Sequence, residues 1–244
     1  MDLVKVNINN LTDLWKTGGQ LAGYYIEEPG YNLSVAGNGE WPNKLWFTKS
    51  LDMPTLQKNK LQWNLDELSI PIFGDDLHKQ ELILKASGFE EKLTQVAMFM
   101  DLADVPDNVE RVVIQKVKNT EQAKIWSQLF QEAFGYEISV VTVMKTMESI
   151  EYFIGKHNGV AVGTAVLFVD KRGIAGIHSM GVIPSQRRKG YAEELLIHML
   201  NIARIKGSEY ATLQASEMGK GLYLKTGFQE DFTIKTFIKK NKEQ

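Results

Sequence analysis

Val182-Ile183-Pro184-Ser185-Gln186-Arg187-Arg188-Lys189-Gly190-Tyr191-Ala192 joins an apolar strand to an amphipathic helix through a short basic loop. Upstream, Ile174 to Ile183 read as a strand, and Pro184 ends its ladder because it has no N–H to donate. Downstream, Ala192, Leu195, Leu196, Met199, Leu200 and Ala203 recur at helical spacing, which predicts a helix to about Lys206 with one buried stripe. Gly190 then stands at a helix N-terminus, where unpaired backbone N–H groups and the positive dipole end favour an anion. Gly190 and the small Ala192 let the backbone approach phosphate oxygens, and Arg187, Arg188 and Lys189 add positive charge. A helix start with a solvated basic face would read the same way. The loop lacks the Gly-Lys-Ser/Thr ending of a nucleotide-magnesium loop, and it does not fit the three-glycine dinucleotide fingerprint.

A second element lies further on. Ala211 to Gln214 reads as a strand, Ser216 as an N-cap, and Glu217 to Lys225 as a short helix closing at Gly227-Phe228. Arg187-x-x-Gly190-x-Ala192 behind Val182-x-Pro184, followed by Leu222-Tyr223-Leu224-Lys225-Thr226-Gly227-Phe228, resembles the acetyl-CoA pyrophosphate loop and tyrosine helix of the GNAT N-acetyltransferases. The resemblance covers residues 109 to 240. It implies an α/β fold of the α+β kind, a mixed central sheet flanked by helices. It departs from the family at Ser216, where many members carry an asparagine that contacts CoA, and at Gly219, where a helical alanine is usual.

The surrounding chain fits that unit. Val109 to Val117 reads as a strand and Thr120 to Gly135 as a helix with Ala123, Trp126, Leu129, Phe130 and Ala133 on one stripe. A second helix is expected near Ile138 to Met147. Strands at Ile150 to Lys156 and Val160 to Val169 are joined by His157-Asn158-Gly159, where Asn-Gly is the favoured two-residue hairpin turn.

The first half carries a faint echo. Leu84-Lys85-Ala86-Ser87-Gly88-Phe89 parallels Leu224 to Phe228, and a strand at Asn43 to Thr48, a helix near Leu56 to Leu65, a strand at Ile70 to Phe73 and a helix at Asp75 to Leu84 repeat the order. Two tandem GNAT-like units are therefore expected: a degenerate or half-sized one at 1–105 and a catalytic one at 106–244, with Asp104 to Asn108 as a polar linker. No glycine occurs between Gly39 and Gly74, so the first unit has no loop able to cradle CoA in the usual way. One acetyl-CoA per chain follows, and residues 106–244 alone are expected to retain CoA binding, provided the cut does not expose too much apolar interface, yet to use the acceptor less well. Trp41, Trp46 and Trp63 are candidates for exposed aromatics lining a shared cleft, although tryptophans more often simply fill cores.

Composition sets limits. With 244 residues, 43% hydrophobic, there is material for one large or two modest cores. A net charge of -2 argues against a nucleic-acid binder, since three basic residues in a row make no basic stripe. No cysteine means no disulfide, thiolate metal site or cysteine nucleophile, and no His or carboxylate cluster has metal spacing. The longest apolar run, Val160 to Val169, is too short to span a bilayer, and the N-terminus reads as no export signal. The expected setting is cytoplasmic, as monomer or homodimer, with a small-molecule or peptide amine as partner and neither nucleic acid nor membrane.

The resemblance implies direct attack of an amine on the thioester of acetyl-CoA in a ternary complex. Met180, Gly181 and Val182 would meet the pantetheine arm and thioester carbonyl through their backbone. Arg187, Arg188, Lys189, Gly190, Tyr191 and Ala192 would take the diphosphate, with Ser216 a further CoA contact. Tyr223 matches the family's tyrosine facing the thioester sulfur, and a phenol with a reference pKa of about 10 stays protonated at neutral pH. His178, by alternation on the same face as Met180 and Val182, is the candidate base, with Glu151 and Glu137 as alternatives. A histidine buried and satisfied by its neighbours is an equal reading. His157 and His198 read as structural or solvated. A CoA-binding sensor without turnover is the competing function.

Overall fold

Asp2 caps a helix that runs from Leu3 to Ala22 (α1), its carboxylate accepting from the Lys5 N–H at 3.1 Å. The computed structural model describes residues 2–37, 41–74, 76–105 and 111–240. After α1 come β1 (Gly23–Glu28), β2 (Tyr31–Ala36) and β3 (Lys44–Phe47), an antiparallel three-stranded meander, and then α2 (Met53–Gln62), β4 (Ile70–Ile72), α3 (Leu77–Ala86) and β5 (Phe89–Asp101). The second half contains β6 (Val113–Lys116), α4 (Thr120–Phe134), α5 (Val140–Thr146), β7 (Glu151–His157), β8 (Val160–Val169) and β9 (Ala175–Val182). It ends with α6 (Tyr191–Ile205), β10 (Tyr210–Ser216), α7 (Glu217–Thr226) and β11 (Gln229–Lys239).

Local chemistry explains most of these boundaries. Asn119 and Ser139 cap α4 and α5, and Gly135 ends α4 at φ 80°. Asn158 and Gly159 both take positive φ, as the tight turn between β7 and β8 requires. The strand expected from Val109 is paired only over Val113–Lys116, and residues 106–110, with most of the expected linker, lie outside the described residues.

Eight strands form one sheet in the order β4-β11-β5-β10-β9-β8-β7-β6, mixed because β9 and β10 run parallel. Alternation sorts its two faces. Tyr152, Ile154, Val166 and Phe168 pack with Leu11, Leu14 and Trp15 of α1, with Trp126 and Phe130 of α4, and with Val143 of α5. Phe153, Ala165, Leu167 and Ile177 pack on the other side with Leu195, Leu196, Met199 and Leu200 of α6. A third apolar group, including Leu33, Leu45, Leu56, Ile70, Leu84 and Phe237, belongs mainly to the first half.

Both halves repeat one order: helix or helices, three-strand meander, helix, strand, helix, strand. Their last strands cross over. β5 of the first half lies between β10 and β11, pairing antiparallel with both, while β11 lies between β5 and β4. Residues 89–101 are therefore interior strand of the sheet that carries the second half.

Two expectations are corrected here. Trp41 and Trp46 are buried at 9% and 3% exposure, filling the core beside Trp15 instead of standing exposed. The alternation that placed His178 with Met180 fails because β9 bulges: Val166 faces His178 but Thr164 faces Gly181, so Ser179 and Met180 together oppose Ala165. Ser179 takes φ 48° to make the bulge. Met180 consequently packs on the α6 side with Ile177, whereas His178 points to the α1 side.

Candidate active site

β9 and β10 pair only through Ala175 with Ala211 and Gly176 with Thr212. Beyond those two rungs the parallel strands part, so β9 from Ile177 to Val182 carries no ladder partner on the β10 side. The opening leads to two helix starts, α6 after Val182 and α7 after Ser216. Lys225 of α7 pairs with Glu193 in the first turn of α6 at 2.9 Å, holding the two helices side by side.

The loop entering α6 is built to present amides. Pro184–Gln186 form one tight helical turn, Arg188 takes φ 61°, and Gly190 takes φ 84° as N-cap. The backbone N–H groups of Arg188, Lys189, Gly190, Tyr191 and Ala192 have no hydrogen-bond partner among the described residues. Five free donors at the positive end of a fifteen-residue helix make a site that fits a diphosphate. A Cβ at Gly190 would lie 3.0 Å from the Arg111 guanidinium, so the close approach belongs to glycine.

Side chains of the loop divide their work. Arg187 donates to the carbonyls of Val182 and Ala133, both at 3.1 Å, bracing the loop against the end of α4. Lys189 donates to Gln186 Oε1 at 2.8 Å, while Arg188 is exposed without a hydrogen-bond or ion-pair partner among the described residues. Tyr191 is buried under the Arg111 guanidinium and beside the His157 ring, so its backbone and not its phenol faces the loop. Ala192 packs beside it against Val112, Val162 and Val182.

Arg111 escaped the sequence reading. It pairs with Glu194, which is 2% exposed and also accepts from the Val112 N–H at 3.1 Å. The only signal was Glu194, an acidic residue beside the apolar stripe of α6, which needs a cationic partner when buried.

Tyr223 sits on the α6 side of the sheet, half-buried against the Phe228 ring at 5.9 Å. Its hydroxyl has no hydrogen-bond partner among the described residues, and burial pushes its pKa up to about 12. The phenol is therefore a hydrogen-bond donor at neutral pH. Ser216 caps α7, its Oγ accepting from the Gly219 N–H at 3.3 Å.

His178 lies on the opposite face, under α1. Its Nε2 is 3.2 Å from Asn10 Oδ1, an atom that only accepts, so Nε2 carries the proton. Burial lowers its pKa to about 4, with a hydrogen bond to the Gln214 side chain acting against that shift. Asn10 also donates to the Ile174 carbonyl at 3.0 Å, and Asn7 donates to the Met98 carbonyl at 3.0 Å while accepting from Gln214 at 2.8 Å. Gly176 admits this network, because a Cβ there would lie 1.9 Å from Asn10 Oδ1. The ring thus anchors α1 across the seam where β9 and β10 separate.

The other candidates are engaged elsewhere. Burial raises the Glu151 pKa, but hydrogen bonds and charge from Lys116 and Lys206 outweigh it and hold the carboxyl below its ordinary value. Glu137 is exposed. His157 and His198 bond the carbonyls of Arg111 and Val112 at 3.0 and 2.7 Å. No group of three metal-ligating side chains occurs among the described residues, and no described helix is long and apolar enough to cross a membrane.

A mixed sheet whose two parallel strands part before an amide-lined helix start is the architecture of GNAT-like folds. Residues 120–228 match the model of the acetyltransferase (GNAT) family, and the second half of the chain carries a GNAT acetyltransferase domain. That family implies acetyl-CoA as cosubstrate. Among solved structures, a GCN5-related N-acetyltransferase from Kribbella flavida superposes with TM-score 0.73 at 14% identity, over 97% of this chain and 96% of that one. A GCN5-related N-acetyltransferase from Sphaerobacter thermophilus gives 0.61 at 14% identity over 85% and 76% of the two chains. A tandem GNAT protein from the clavulanic acid biosynthesis pathway gives 0.55 at 11% identity over 88% and 79%. At these identities the likeness is one of fold. No curated protein matches the sequence significantly.

Proposed function

We propose that this protein transfers the acetyl group of acetyl-CoA to a primary amine of a small molecule, amino acid or peptide. The observation that carries the reading is the set of five unpaired amides, Arg188 to Ala192, beside the unpaired edge of β9. Acetyl-CoA supplies the activated acetyl carbon. The amides of the loop, with Arg188 and Lys189, hold the diphosphate, and Ser216 flanks it. Backbone groups of Met180, Gly181 and Val182 orient the pantetheine arm and polarise the thioester carbonyl. The amine nitrogen bonds the carbonyl carbon, the C–S bond breaks, and the amine's proton leaves to solvent. Tyr223 O–H donates to the departing thiolate.

In this reading the first half is a second, degenerate GNAT-like unit, supported by its repeated element order and the exchange of β5 and β11. It keeps the fold and has lost the anion loop. We place the protein in the cytoplasm, as monomer or homodimer, with no nucleic-acid or membrane partner.

Thiol release from acetyl-CoA across a panel of amines, amino acids and peptide N-termini tests the activity. With a substrate from that panel, Tyr223→Phe should lower kcat by about ten- to a thousandfold with little change in acetyl-CoA affinity. Unchanged turnover removes Tyr223 from the mechanism, and binding without turnover across the panel favours a CoA-binding sensor.

The assignment of His178 has its own test. Its pKa is near 4 in the fold against 6.5 unfolded, so above pH 6.5 both states are neutral and the fold keeps its full stability. As pH falls from 6.5 to 4 the unfolded chain gains a proton that the folded one refuses. Stability should drop by roughly 3 kcal/mol over that window, and His178→Gln should remove this part of the pH dependence. Denaturant titrations at several pH values measure it. We infer an anchoring role for His178 in place of the base expected from sequence, so the acid limb of the rate profile should survive His178→Gln. Loss of that limb would restore the base.

A further inference from the structure

Two carboxylates stand where an anion is meant to bind. Glu193 and Glu194 lie in the first turn of α6, and both line a hollow of about 300 Å³ together with Arg111, Gly190 and Ile197. Negative side chains are favoured at the positive end of a helix, so the two glutamates steady α6 by themselves. A diphosphate approaching the same helix start meets them as like charges. Each carboxylate must be neutralised if the loop amides are to keep their pull.

The neutralising cations come from outside the loop. Lys225 reaches Glu193 from α7 at 2.9 Å, and both side chains are open to water, at 68% and 38% exposure. Arg111 reaches Glu194 from the residues ahead of β6, and there the carboxylate side chain is only 3% exposed. Burial separates the two pairs. Water and salt screen the charge of Glu193 whether or not Lys225 is present, whereas Glu194 without Arg111 is a buried charge with no counter-ion.

The position of Arg111 is fixed by its surroundings. His157 Nδ1 and His198 Nε2 donate to the carbonyls of Arg111 and Val112 at 3.0 and 2.7 Å, and the Val112 N–H donates to Glu194 Oε2 at 3.1 Å. The guanidinium lies 5.9 Å from the centre of the Tyr191 ring and 3.0 Å from the place a Cβ on Gly190 would take. It stands beside the loop, yet its charge is spent on Glu194.

We propose that Arg111 is a positioning residue of the diphosphate site that acts through Glu194, cancelling that buried carboxylate beside the loop amides and making no bond to the cofactor. The inference rests on the acetyl-CoA reading above. It gives the pair an asymmetric signature. Loss of the cation leaves a negative charge near the diphosphate and weakens binding, loss of the carboxylate leaves a spare cation there and strengthens it, and loss of both restores the parent. A pair that only held the fold together would weaken binding whichever partner was removed.

Calorimetric titration of the full chain and its variants with acetyl-CoA reads this signature. Arg111→Gln should bind about ten- to a hundredfold more weakly than the parent, the effect of unit like charges about 8 Å apart at an effective dielectric near 20. Glu194→Gln should bind about three- to tenfold more tightly, a smaller change because the freed guanidinium is half-exposed and screened. It leaves no buried charge behind, so it carries the test of sign however well Arg111→Gln folds. The double variant, and Arg111→Lys, should stay within about threefold of the parent. Weaker binding by Glu194→Gln would make the pair structural, and a double variant as weak as Arg111→Gln would make Arg111 a direct phosphate ligand. Equal affinity of the parent and Arg111→Gln would mean that the carboxylate is not felt at the loop. Each of these overturns the proposal and leaves the acetyl-CoA reading standing, whereas no binding by the parent overturns that reading and the proposal with it.

Discussion

Gly190→Asp is expected to abolish measurable acetyl-CoA binding while the protein remains folded. Asp is among the few side chains that enter the left-handed region at modest cost, and Gly190 is exposed at φ 84°, so the backbone can keep its shape. The new Cβ meets the Arg111 guanidinium at 3.0 Å, the end of a flexible side chain that can shift. The carboxylate then stands against the five amides proposed to hold the diphosphate. A pair of like unit charges about 4 Å apart costs about 4 kcal/mol at an effective dielectric near 20, which is close to a thousandfold in affinity. Gly190→Asn adds the same bulk without the charge and should lose far less. Calorimetry on the three proteins separates the terms, and the parent should bind one acetyl-CoA per chain. At a hundred times its dissociation constant acetyl-CoA should stabilise the parent by about 2.7 kcal/mol and the Asp variant not at all. Equal binding by parent and Asp variant would remove the loop from the site.

The loop was legible because each part has a local cause. An apolar strand, a proline that ends it, a glycine at a helix start and a stripe at helical spacing are all readable within a few residues. The same holds for Asn158-Gly159 and for Gly227-Phe228. α1 was missed because its buried stripe holds Asn7, Asn10, Gly18 and Gly19 among its apolar residues. Those asparagines face inward to satisfy the carbonyls of Met98 in β5, Phe168 in β8 and Ile174 before β9, a long-range demand with no local pattern. The bulge at Ser179 was equally hidden, since no glycine or proline marks it, and its one-residue shift moved His178 to the other face. Strand β5 shows a further limit. Residues 90–94 are exposed, the buried positions are Phe89 and then Ala97, Met98 and Met100, and no sequence pattern names the strands it pairs with.

Removing residues 1–105 is expected to leave no cooperatively folded protein, because the cut exposes the apolar interface on which a fragment starting at 106 depends. Without β4 and β5, β10 is left with an unpaired edge and β11 loses both of its neighbours. Ala97 and Met98, both at 0% exposure, and Met100 at 4% would vanish from the two cores they help fill. Deleting one such methionine side chain alone costs about 2–5 kcal/mol, against a total stability of about 5–15 kcal/mol for a typical domain. α1 leaves with the same cut, taking Asn10 from His178 and from the Ile174 carbonyl. A fragment of residues 111–244 should be insoluble, or show no sharp thermal transition and no acetyl-CoA binding. Co-expression with residues 2–105 should restore both, because β5 then re-enters between its partners. Within the full chain, Met98→Asp should reproduce the loss by placing an unpaired carboxylate among Leu196, Met199 and Leu213. A sharp transition and full acetyl-CoA affinity in the 111–244 fragment would mean that β11 can close onto β10 directly, and that β5 is an addition to the catalytic half and not part of its sheet.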